Sequence, residues 1–140
     1  MSRILALDYG AKRTGVALSD PTGTLASPLP YLETQPFRKF FGKLKEIIRT
    51  QEVEVILVGL PRNMDGSYGA SAAAVREFVT RLKEVIILDI QLVDERLSTV
   101  QASRLLHEAG HNTREQKERV DSASAQVLLQ SFLDARQRSS

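Results

Sequence analysis

Cysteine is absent from this 140-residue chain. That excludes disulfides, thiolate metal sites and a thiol nucleophile, and it suits a reducing compartment. No apolar run approaches the length of a membrane span. Only Ile4-Leu5-Ala6-Leu7 separates Arg3 from Asp8, too short a stretch for the apolar core of a signal peptide. The chain is therefore expected to be soluble and cytoplasmic. No long internal repeat occurs. No G-x-G-x-x-G follows the first apolar run and no Walker lysine loop exists, which argues against dinucleotide and P-loop sites.

What remains is an ordinary globular composition, 42% hydrophobic and 26% charged. The length suits one domain over residues 1–140, with 137–140 as a flexible tail. Net charge is only +2, but the 19 basic residues are 13 Arg and 6 Lys. The arginine fork matches phosphate oxygens, so the excess leans towards phosphate-bearing partners, although on composition alone ordinary surface charge is the better explanation.

Ile4–Leu7 reads as a buried strand and Gly15–Leu18 as a second, after a turn around Gly10. Leu25–Leu32 carries Pro28 and Pro30 and reads as an edge strand. Phe37, Phe40, Phe41, Leu44, Ile47 and Ile48 then mark one stripe of a helix starting near Pro36, with a basic outer face. Val53–Gly59 predicts a central strand, Leu60–Ser67 a loop, Ser71–Lys83 a helix and Ile90–Val93 a strand. Ser98–Gln101 forms a capping box opening a helix to Gly110, and a last helix runs from about Gln116 to Arg136. The order β-β-β-α-β-α-β-α-α implies an α/β fold, a mixed sheet with helices on both faces.

Three acids stand out. Asp8 ends the first strand and is either a site residue at the sheet mouth or a turn aspartate bonding its own loop. Asp94-Glu95 ends another strand; alternation lets only one of the two share a face with Asp8. Asp121 lies on the helical stripe of Ala125, Leu128 and Phe132, so it faces inward. A buried carboxylate is paired, for instance with Arg96, or binds metal. Oxygen ligands without Cys or clustered His select Mg²⁺ or Mn²⁺, and one or two such ions can drive phosphoryl displacement. Lys12, Arg13 and Arg96 would then hold phosphates. Arg62 and Asn63 either meet a nucleic acid backbone or sit in a plain turn between Pro61 and Gly66. His107 and His111 have the spacing of a metal pair but read as a solvated helix end, since no acidic third ligand accompanies them.

The segments 8–17 (DYGAKRTGVA), 58–66 (VGLPRNMDG), 94–99 (DERLST) and 120–123 (VDSA) resemble the four signatures of the YqgF/RuvX family, in the family's order and across nearly the whole chain. The resemblance implies an RNase H-like fold with a five-stranded mixed sheet in order 3-2-1-4-5. It implies catalytic and metal-binding roles for Asp8, Glu95 and Asp121. It also implies nuclease action at the 5′ end of pre-16S ribosomal RNA, or, as the family was earlier assigned, resolution of Holliday junctions in the manner of RuvC. The second activity needs two active sites, hence a homodimer. A non-catalytic nucleic-acid-binding factor is the third alternative, disfavoured by the intact acids. Two departures are visible: Thr14 stands where isoleucine is common, and Ser124 interrupts an alanine pair. Neither removes a carboxylate.

Overall fold

Where β-branched and leucine residues run together the chain forms strands, and where apolar positions recur three or four apart it forms helices. The computed structural model describes residues 3–61, 67–95 and 122–139. In chain order these form β1 (Arg3–Asp8), β2 (Arg13–Ser19), β3 (Ala26–Glu33), α1 (Phe37–Thr50), β4 (Val53–Pro61), α2 (Ala70–Val85), β5 (Asp89–Glu95) and α3 (Ala123–Ser139). The strands make one sheet in the order β3-β2-β1-β4-β5. β2 is antiparallel to β1 and β3, while β1, β4 and β5 are mutually parallel. This is the mixed sheet that the sequence implies. The expected helix from Ser98 to Gly110, the beginning of the last helix near Gln116, and residues Arg62, Asn63, Arg96, His107, His111 and Asp121 lie outside the described residues.

Several expected boundaries shift, and those of β4 and β5 bear on the site. Leu60 and Pro61 were expected in a loop but continue β4, because Leu60 is buried and both pair with β5. β5 is longer at both ends than Ile90–Val93, since β4 offers partners from Val55 to Pro61 for every residue from Asp89 to Glu95. Pairing by a neighbouring strand overrides the weak local preference of Asp89, Asp94 and Glu95.

Each face of the sheet carries its own core. On one, Leu5, Leu7, Val16, Val58 and Leu60 pack against α1 and α2, chiefly Phe40, Leu44, Val75, Phe78 and Leu82. On the other, Ile4, Ala6, Ala17 and Leu57 pack against Ala125, Leu128, Leu129 and Leu133 of α3. The small alanines of β1 and β2 let α3 lie close to the sheet centre. Phe78 sits at the middle of the larger core, its ring 4.5 Å from Tyr9 and 5.6 Å from Phe40.

Candidate active site

The strand register sorts the acids by face. Leu7 pairs with Val58, and Val58 pairs with Leu92. This row lies on the α1/α2 side, so Asp94, two residues beyond Leu92, has the parity of that side. Asp94 is exposed there and accepts a hydrogen bond from the Tyr68 hydroxyl at 2.8 Å, just ahead of α2. Asp8 follows Leu7 and so has the parity of the α3 side, with Ile4 and Ala6. The backbone of Glu95 pairs with Pro61 at the end of β5. Strand alternation left the face of Asp94 open and the family resemblance favoured Glu95; the register puts Asp94 on the α1/α2 side.

Asp8 occupies the carboxyl end of β1, the central strand, opposite Gly15 of β2. Among the described residues its carboxylate has no hydrogen-bond or ion-pair partner. Burial raises its pKa above the ordinary value. Asp20 shows the reverse. It accepts from the N–H groups of Thr24 at 2.8 Å and Leu25 at 3.0 Å and from the Thr22 hydroxyl, and these bonds hold its pKa down to about 2. Asp20 is a turn aspartate. Asp8 is not, which removes the turn alternative for it.

The loop after Asp8 carries Lys12 and Arg13 to the same end of the sheet, both exposed. A side chain at Gly10 would collide with the Arg13 carbonyl oxygen, so only glycine permits this tight return. The Arg13 guanidinium lies over the Tyr31 ring, 5.0 Å from its centre.

The opening of α3 is moored to the same region. Ser122 is fully buried, and its hydroxyl accepts from the Val16 N–H at 3.0 Å and donates to the Leu29 carbonyl at 2.6 Å. Val16 follows Gly15, the strand partner of Asp8. Sequence reasoning missed Ser122 and Tyr68. A serine one residue after the candidate Asp121 was the available signal for the first; a lone exposed tyrosine 26 positions from Asp94 gave none for the second.

The register thus brings Asp8 and the backbone of Glu95 to one end of the sheet. Lys12 and Arg13 join them at that end, whereas Arg62, Asn63, Arg96 and Asp121 are not described. Among the described residues no three His, Cys, Asp or Glu side chains cluster, and no helix is long and apolar enough to cross a membrane.

A model of the family described as "RuvX: Holliday junction resolvase" matches residues 2–135. A relative from Roseiflexus sp., named as a candidate pre-16S rRNA nuclease, is 41% identical over 133 residues, covering 95% of this chain and 94% of its own. One of the same name from Thermoanaerobacter pseudethanolicus is 43% identical over 134 residues, covering 95% and 96%. Among solved structures, Thermus thermophilus RuvC in complex with a Holliday junction superposes with a TM-score of 0.57 at 13% identity, over 98% of this chain and 96% of that one. The fowlpox virus resolvase, also with Holliday junction DNA, gives 0.55 at 9% identity, over 95% and 97%. At these identities the likeness is one of fold, and the fold is RNase H-like.

Proposed function

The chain belongs to the RuvX family, and from that premise we propose that it is a divalent-metal-dependent nuclease acting in the cytoplasm on the 5′ end of pre-16S ribosomal RNA. The observation that carries the reading is Asp8: a partly buried carboxylate at the mouth of the sheet, without a partner among the described residues. Leaving such a group unpaired is costly unless it has a ligand to bind.

Asp8, Glu95 and Asp121 are the residues that would hold the ion. Their hard oxygen donors suit Mg²⁺ or Mn²⁺, and the bond from Tyr68 to Asp94 on the α2 side supports choosing Glu95 over its neighbour. Support for Asp121 comes from the next residue in the chain, Ser122, whose hydroxyl is bonded to the strand beside Asp8. One or two such ions, when bound, supply an activated water and neutralise charge on the phosphate. The chain's own part is to orient the substrate. Lys12 and Arg13 take phosphates flanking the cleaved bond, and Arg62, Asn63 and Arg96 extend that contact. Burial raises the Asp8 pKa and so disfavours its ionised form, a cost that a bound cation would offset.

The test offers the purified protein, with Mg²⁺ or Mn²⁺, a labelled pre-16S leader RNA, an unrelated single-stranded RNA and a four-way DNA junction. Preferred cleavage of the leader is expected. Paired symmetric nicks in the junction by a dimer would replace the reading with a resolvase, and binding without cleavage of any of them would replace it with a binding factor.

A further inference from the structure

Two buried hydroxyls meet beneath the loop that follows Asp8. Thr14 and Thr34 are fully buried, and their Oγ1 atoms lie 2.8 Å apart. Thr34 Oγ1 also lies 2.6 Å from the Gly10 carbonyl oxygen, which can only accept. A hydroxyl carries one proton. Thr34 therefore spends its own on Gly10, and Thr14 donates to Thr34. The Thr34 backbone N–H makes a second bond to the same loop, to the Lys12 carbonyl at 2.9 Å.

Thr34 thus holds the loop on both sides of Ala11, at the two carbonyls that flank it. Packing alone does not call for this. Valine has the shape of threonine, and a buried hydroxyl pair gains over hydrocarbon of that shape only by satisfying a polar group that would otherwise be orphaned. Here that group is the Gly10 carbonyl, at the point where the chain turns so tightly that no side chain fits. Arg13, one residue past Lys12, has its own anchors in its pairing with Glu33 and its stacking on Tyr31. Among the described residues, the bond that ties Lys12 to the chain leaving β3 is the one from the Thr34 N–H.

We propose that Thr34 is a positioning residue for substrate, acting through Gly10 and Lys12 to set the β1–β2 loop so that Lys12 meets a phosphate of the bound nucleic acid. This rests on the nuclease reading above.

The test measures affinity for a labelled pre-16S leader RNA without divalent metal, so that binding is read apart from cleavage. Thr34→Val is expected to weaken binding about tenfold, the effect of one hydrogen-bond-sized contact. Thr34→Ser, which keeps the hydroxyl, is expected to stay within about twofold of wild type. If Thr34 acts through Lys12, Thr34→Val in a Lys12→Ala background costs less than about twofold more, because the two losses are then one loss. Unchanged affinity in folded Thr34→Val, no rescue by Thr34→Ser, full additivity with Lys12→Ala, or no RNA binding by the wild-type chain overturns the proposal. Should Thr34→Val fail to fold, Thr14→Val takes its place. It removes only the hydroxyl that feeds Thr34 and is expected to weaken binding about twofold to threefold; no change overturns the proposal. Failure of the nuclease reading shows separately, as cleavage that survives Asp8→Asn, and leaves the affinity comparison intact.

Discussion

The Tyr68 hydroxyl donates to Asp94 Oδ1 at 2.8 Å, on the face of the sheet opposite to Asp8. Asp94 is thereby occupied on the α2 side, although it stands next to the acid that the family motif singles out. Asp94→Asn and Tyr68→Phe are expected to keep cleavage rates within about threefold of wild type, below the tenfold that 1.36 kcal/mol would bring. A steady-state assay on leader RNA checks this, and a hundredfold loss in either variant would place Asp94 in the site instead.

Asp8 links the site to stability. Burial raises its pKa, so in the folded chain the proton is held more tightly than in the unfolded one. The stability tied to that proton is complete below the ordinary carboxylate pKa and is lost as pH rises through the raised value. Metal-free Asp8→Asn is therefore expected to melt higher than wild type at neutral pH, with the gap closing on acidification. Thermal melts across pH 3 to 8 check it; a gap that opens as pH falls contradicts the sign. Cleavage should fall on the acid side as Asp8 takes up its proton.

Ser122 joins three elements with one hydroxyl. Ser122→Ala leaves the Val16 N–H and the Leu29 carbonyl without their buried partner. The expected cost is about 1–3 kcal/mol in urea unfolding. If the hydroxyl also fixes the approach of Asp121, cleavage falls further than that stability loss explains at a temperature where the variant is fully folded. A variant as stable as wild type would contradict the first part.

Gly10→Ala tests the loop geometry directly. The added Cβ cannot coexist with the Arg13 carbonyl oxygen, so the loop must open. Overpacking of this kind costs about 1–3 kcal/mol, and RNA binding is expected to weaken with it as Lys12 and Arg13 move. Stability and affinity equal to wild type would show that the loop yields freely.

Much of this molecule is legible in the sequence, and the physical reason differs by part. The three opening strands, α1 and β4 announce themselves by periodicity, because a core face leaves an unbroken mark on the chain. Leu60 and Pro61 carry a local loop signal, since Pro61 and Gly66 together look like a turn, while the partner that keeps them in β4 is a strand some thirty positions away. The choice between Asp94 and Glu95 has the same character. Alternation says that the two acids point to opposite faces, but only the pairing of Val58 with Leu92 puts Asp94 on the face away from Asp8. The Thr14–Thr34 pair leaves no local signal either, since a hydroxyl's partner twenty residues off is a property of the fold.

The most direct measurement is single-turnover cleavage of a labelled pre-16S leader RNA with Mn²⁺, comparing wild type with Asp8→Asn, Glu95→Gln and Asp121→Asn. Each variant should be folded by circular dichroism and should cleave at least about a hundredfold more slowly, a loss of about 2.7 kcal/mol in transition-state stabilisation. Cleavage by Asp8→Asn at the wild-type rate would contradict the assignment of the site.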